Sequence, residues 1–357
     1  MKRLLGGGDT PFVKPNVSHC IQENEVHYNP LIDYSKMYLT FVSLEDGNEI
    51  SWYCGEYDVV PITYSTDNGN TWETYTAESS GTSQLLATIN KDEKILFKGN
   101  TAKYGGVDWN EDYAYGASFI SSKQLNIEGN IMSLVYGDDF ANNGTTPSDF
   151  DLSGLFHNNS GFYEGSLYVV DASNLILPLE TLTENCYAYM FDNCTSITTA
   201  PELPATTLAE DCYFAMFHGC TSLTTTPALP ATTLEIFCYG QMFYGCTSLT
   251  TAPELPATTL AEKCYGSMFA NCTSLTTAPE LPATTLANYC YQYMFNGCTN
   301  LNYIKAMFTT TPSNSYTNQW VSGVAANGTF VKNAAATWDV TGVNGIPSGW
   351  TVETATA

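Results

Sequence analysis

Ten cysteines of this 357-residue chain fall on two regular beats, at 186, 212, 238, 264 and 290 and again at 194, 220, 246, 272 and 298. Thiols at fixed spacing can oxidise in pairs, ligate a soft metal, or pack as small apolar groups. Zinc needs ligands converging on one point with spacings such as CxxC. The chain has no CxxC and only four histidines, His19, His27, His157 and His218. Whether the sulfurs can pair depends on the elements that carry them.

Those elements repeat. Five units of 26 residues align without a slip, at 177–202, 203–228, 229–254, 255–280 and 281–306, the last decaying after Cys298. A period of this size signals coils that bury their apolar faces on one another. Each unit reads as a short helix followed by a short strand. In the second, Leu208, Cys212 and Met216 stand four apart, with Tyr213 and Phe217 beside them, as one apolar helical face. Thr207 with Glu210 forms a capping-box pattern, repeated by Thr181 with Glu184 and Thr259 with Glu262. Asn193, Gly219, Gly245, Asn271 and Gly297 share one position, where Gly or Asn in the left-handed conformation closes a helix. Residues 223–226 are expected as the strand, ended by Pro227 and Pro230.

Cysteines eight apart on such a helix lie about 12 Å apart. Disulfides require Cα atoms within about 7 Å, and neighbouring helices pack about 8–10 Å apart. The expected state is buried free thiols, stacked as ladders where Leu would overfill the space.

The run CYxxMFxGCTSLTTAPELPATTLA resembles the BspA-like leucine-rich repeats of bacterial surface proteins and of phages, over about residues 150–310. The unit here is longer than is common in that family, and a cysteine replaces a small apolar residue before the tyrosine. The resemblance implies a curved solenoid used for adhesion or recognition, and no catalysis. The expected fold is therefore an α/β solenoid of leucine-rich repeats, preceded by an antiparallel β-sandwich.

The flanks complete that scheme. Residues 1–36, rich in Gly, Pro and Asn, are read as an attachment segment, with Lys2, Arg3, Leu4, Leu5 and Phe12 as candidate virion contacts. Residues 37–141 hold short β-rich runs broken by turns and form the expected sandwich. Within it Ser65, Asp67, Gly69, Thr71 and Trp72 match the Asp-box of sialidase propellers, here a single copy read as a structural turn. Residues 142–176 are read as the cap that opens the solenoid, 177–306 as the five repeats, and 307–357 as the closing cap. Cys20 and Cys54 could meet in space, although a cytoplasmic start favours reduced thiols.

Composition narrows the function. A formal charge of -24 repels phosphate backbones and anionic headgroups, so nucleic acid and membrane surfaces are poor partners. Met1, Lys2 and Arg3 imitate a signal peptide, but Gly6, Gly7 and Gly8 interrupt it, and no run approaches a membrane span. No nucleotide-binding, zincin or serine-hydrolase motif is present. Neither Asp108, Glu111 and Asp112 nor Asp138 and Asp139 show the alternating ligands of a calcium loop. No catalytic residue, metal or cofactor is expected.

The units differ from one another mainly on the outer side of the expected helices. Phe214, His218, Phe237, Tyr244, Tyr289 and Tyr293 are the candidate ligand contacts, with the invariant Thr-rich face as the rival surface. The expected function is non-enzymatic: a phage virion fibre, tail or capsid-decorating protein, made in the host cytoplasm, that binds a host glycan or glycoprotein. A homo-oligomer, such as a trimer, would suit a fibre. The alternatives are a bacterial cell-surface adhesin and a glycan-degrading enzyme carrying the repeats as a binding module.

Overall fold

Alternating apolar residues build two sheets from the first third of the chain. The strands are β1 (Leu39–Ser43), β2 (Asn48–Tyr53), β3 (Ile62–Ser65), β4 (Glu73–Tyr75), β5 (Ser83–Ile89), β6 (Lys94–Lys98), β7 (Ser118–Ser121) and β8 (Gln124–Asn130). The computed structural model describes residues 33–54, 59–104, 116–143, 146–147, 150–158 and 166–355. All elements lie in the unit Tyr34–Ala357. One sheet has the order β5-β2-β7. The other runs β4-β3-β6-β1-β8 and gains a sixth strand, β9 (Tyr168–Ile176), at its edge. Phe41 and Phe97 of the larger sheet meet Phe119 of the smaller, with ring centroids 4.8 and 4.6 Å apart. Offset and edge-on contacts at this range are favourable beyond the area they bury.

The larger sheet is not the purely antiparallel one expected. β9 pairs with β8 in parallel, which a long connection permits and a hairpin does not. The same strand carries the chain into the repeats.

The repeats themselves depart further from expectation, for they contain no helix. The one α-helix among the described residues, α1 (Ser133–Tyr136), is a single turn outside them. The expected α/β solenoid of leucine-rich repeats, with one helix per unit, is therefore incorrect. The stretch read as a helix is a ribbon of four-residue turns. In the first unit the N–H groups of Asn185, Tyr187, Tyr189, Phe191 and Asn193 donate to the carbonyls of Glu210, Cys212, Phe214, Met216 and His218 in the next unit, at 2.7–3.1 Å. The intervening N–H groups of Ala188, Met190, Asp192 and Cys194 turn back three residues within their own unit. Every fourth residue is left-handed: Asn185, Tyr189 and Asn193 have φ of 58°, 56° and 56°. The pattern recurs in each following unit.

A helix turns about 100° per residue, so an apolar row spaced exactly four apart drifts about 40° per step. The ribbon keeps the row aligned. Leu208, Cys212, Met216 and Cys220 all reach the core, with Tyr213 and Phe217.

Stacking the units produces ladders. Tyr187, Tyr213, Tyr239, Tyr265 and Tyr291 lie face to face at 5.9–6.1 Å, and Phe191, Phe217, Phe243, Phe269 and Phe295 at 5.4–5.9 Å. At the N-terminal end Leu152, Gly154, Phe156 and Asn158 donate to Cys186, Ala188, Met190 and Asp192 in the same alternating way. At the other end Tyr291, Tyr293, Phe295 and Gly297 donate to Tyr316, Asn318, Trp320 and Ser322. There the side chain of Asn344 ends the series, its Oδ1 accepting the Gln319 N–H at 2.6 Å.

The strand expected at 223–226 does not form either. Prolines 201, 204, 227, 230, 253, 256, 279 and 282 remove donors from that side of the stack, leaving isolated bridges such as Thr181 to Thr207. Where the proline pattern ends, strands appear. β10 (Tyr303–Ala306), β11 (Thr329–Lys332) and β12 (Thr351–Thr354) pair in parallel.

Candidate functional site: the outer columns of the repeat stack

Because the units are in register, each outward position forms a column, and its chemistry can be read down the stack. One column runs His157, Asp192, His218, Tyr244. His157 is buried, and burial pulls its imidazole below the usual range, towards the neutral form. Asp192 is also buried, and its Oδ1 accepts the His218 Nδ1 hydrogen bond at 2.7 Å. The His218 ring stacks on Tyr244 at 4.9 Å and 22°. The carboxylate thus fixes the tautomer and plane of a half-buried imidazole beside an aromatic face.

A second column runs Asn185, Asp211, Phe237, Lys263, Tyr289. Burial, with Glu210 and Glu184 nearby, pushes the Asp211 carboxyl up to about 6, against an opposing pull from Lys263. The Lys263 ammonium lies 4.5 Å from the Phe237 ring centroid, a cation–π contact. A third column carries Tyr189 and, four units on, Tyr293.

The sequence-predicted contacts are thus distributed unevenly. Tyr289 is exposed, whereas His218, Phe237, Tyr244 and Tyr293 are half-buried. Phe214 is not on the surface as expected. It is buried with Ala188 and Ala215 beneath Tyr189 and Phe237, and it lies against Gly240, where any Cβ would meet its ring at 2.9 Å. His218 and Tyr244 come together. Tyr189, Asp192 and Lys263 were missed, although the 26-residue alignment already placed Asp192, His218 and Tyr244 on one line. On the rival face Thr206, Thr232, Thr258 and Thr284 are exposed.

Four aromatic residues of these columns have left-handed backbones: Tyr189, Phe237, Tyr289 and Tyr293, with φ of 53–56°. For a residue with a Cβ this costs about 1–2 kcal/mol. Gly or Asn would carry less strain there, so their replacement by large rings calls for another reason.

The other candidate groups are structural. The ten repeat thiols are buried and free, and burial raises the pKa of each. The argument from helix spacing that separated them does not hold, since neighbouring units are joined backbone to backbone. The Asp-box is a pinned turn between β3 and β4. Asp67 accepts from Ser65 Oγ, Thr71 N and Thr71 Oγ1 at 2.7–2.8 Å, and these bonds hold its carboxyl down at about 2. Asp138 is paired with Lys98 and Tyr38, each at 2.7 Å. Among the described residues no group of three His, Cys, Asp or Glu side chains is placed to hold a metal ion. None of their helices is long and apolar enough to cross a membrane. Lys2, Arg3, Leu4, Leu5, Phe12, Cys20, Asp108, Glu111 and Asp112 lie outside the described residues.

Comparison with protein families, characterised proteins and solved structures finds no match.

Proposed function

We propose that this protein is a non-enzymatic recognition component of a phage virion, a fibre, tail or capsid-decorating protein whose repeat stack presents aromatic columns to a host-surface glycan or glycoprotein. The observation that carries this reading is the set of large rings at strained left-handed positions. The inner ladders repeat almost without change, while Tyr289, Tyr293 and the His218–Tyr244 pair stand outside them on a rigid frame. Flat aromatic faces beside oriented polar groups suit sugar rings and peptide side chains. The strongly acidic composition disfavours phosphate-rich partners. The repeat motif's likeness to those of bacterial surface proteins and phages supplies the virion setting.

Two measurements test it. Tyr289→Asn and Tyr293→Asn, alone and combined, should lower binding on a host-glycan array at least tenfold while leaving thermal stability equal or higher. Undiminished binding by the double variant would remove these columns from the site. Mass spectrometry of purified particles should find the chain, and its absence from virions would reject the virion assignment.

A further inference from the structure

The two ends of the repeat stack differ in character. At the entry, Phe156 packs against Phe41 and Phe119 of the two sheets, with centroids 6.1 and 6.0 Å apart, and β9 continues the strand side into the six-stranded sheet. The exit is finished on the ribbon side by Asn344, but the strand side has no such ending. Ile304, Phe330 and Val352 share one register across β10, β11 and β12. Ile304 and Phe330 are fully buried, yet Val352 is 45% exposed, so a row of core side chains runs out into solvent. Val340 and Val343, in the loop stacked last on the ribbon side, are 36% and 47% exposed. All four residues of β12 are exposed. The N–H groups of Thr351 and Ala355 donate to Gly328 and Lys332, so the alternation of a strand turns the N–H and C=O of Val352 and Thr354 the other way. Among the described residues no strand pairs with that outer edge.

We propose that the exit end is a self-association surface, on which two copies of this chain meet tail to tail across a two-fold axis, their β12 strands pairing antiparallel and their end valines covering one another. An uncovered strand edge is a template for a further strand. Three observations select a second copy as the occupant. A like edge brings donors and acceptors in the order that an antiparallel pair needs, together with the same apolar side chains. After Lys305 the chain carries only Lys332, Asp339 and Glu353 as charged side chains, a net of -1 out of -24, so the self-repulsion of an acidic chain is weakest at this end. The entry end is already taken up by the two sheets, which blocks head-to-tail growth and closes the assembly at two copies. The association needs no host ligand and leaves the aromatic columns free.

Sedimentation equilibrium of the full chain at micromolar concentrations should find a species of twice 39.0 kDa. Thr354→Pro removes an outward N–H and leaves the bonds to β11 in place, while Val343→Lys puts a charge on the exposed end. Each should weaken the dimer about tenfold or more with an unchanged dichroism spectrum. Glu353→Gln should tighten it, because the two-fold axis brings two carboxylates together. A monomer at every concentration overturns the proposal. So does a trimer, which a two-fold axis cannot build, or a dimer indifferent to both Thr354→Pro and Val343→Lys. Slow hydrogen exchange at Val352 and Thr354 in a monomeric sample would show the edge covered from within the chain, and would count against the proposal equally.

Discussion

Each cysteine of the second beat has a defined task. The Sγ–H groups of Cys194, Cys220, Cys246, Cys272 and Cys298 donate to the carbonyls of Phe156, Phe191, Phe217, Phe243 and Phe269, one turn ribbon back, at 2.9–3.2 Å. The Phe217 carbonyl also accepts the Cys220 N–H, so both of its lone pairs are used inside the core. Alanine would fit but leave one unanswered. Cys246→Ala should therefore destabilise the protein by about 1–2 kcal/mol in urea denaturation, combining a lost weak hydrogen bond with a small void. Burial pushes the thiols of Cys212, Cys246, Cys290 and Cys298 up to about 12, whereas an unfolded thiol titrates near about 8.5. Above that pH the unfolded chain loses protons that the folded chain keeps, so stability is full below it and falls as pH rises towards 12. Melting temperatures from pH 7 to 11 should be level at first and then drop steeply. A thiol reagent at pH 8 should leave the ten repeat cysteines unmodified until denaturant is added.

At the scale of the element, what decides is periodicity. The sequence disclosed the 26-residue unit, the buried thiols and the Asp-box turn. It also marked Asn193, Gly219, Gly245, Asn271 and Gly297, all left-handed with φ of 56–75°. It concealed the ribbon because apolar residues four apart satisfy a helix over two turns, and only the exactness of the spacing across 208, 212, 216 and 220 betrays the difference. The left-handed residues at 189 and 293 were hidden by their type, since tyrosine does not announce such a turn, whereas Asn185 is of a type that does. The outer site was legible as a set of varying positions, but not the burial of Phe214, which depends on the absence of a side chain at Gly240 in the next unit. Far-UV circular dichroism should show no helical double minimum. A strong one would restore the helix and refute the ribbon. Gly245 has φ 71°, and a Cβ there would find Gly219 Cα at 3.7 Å, so space is adequate and only conformation resists. Gly245→Ala should cost about 1 kcal/mol and Gly245→Asn less, an order set by tolerance of the left-handed region.

For the whole molecule, the ribbon side of the stack is closed at both ends by segments that complete its hydrogen bonds rather than by special repeats. Residues 150–158 begin the ribbon, and the 340–346 loop finishes it through Asn344 and through the Gly345 carbonyl, which accepts the Trp320 Nε1–H at 2.9 Å. Interior units contact only their neighbours and are interchangeable in backbone. Excising residues 229–254 in frame should give a folded protein with the same dichroism spectrum and a lower melting temperature. Asn344→Ala should instead leave the Gln319 N–H without its acceptor and weaken the end of the stack by about 1 kcal/mol.

Asn344 answers a main-chain group and is indifferent to which side chains the preceding copy displays. Duplication or loss of whole copies in the gene can therefore alter how far the molecule extends, by about 5 Å for each copy, without a new terminus having to be devised. Length and surface chemistry are in this way separate variables, one set by counting and the other by substitution.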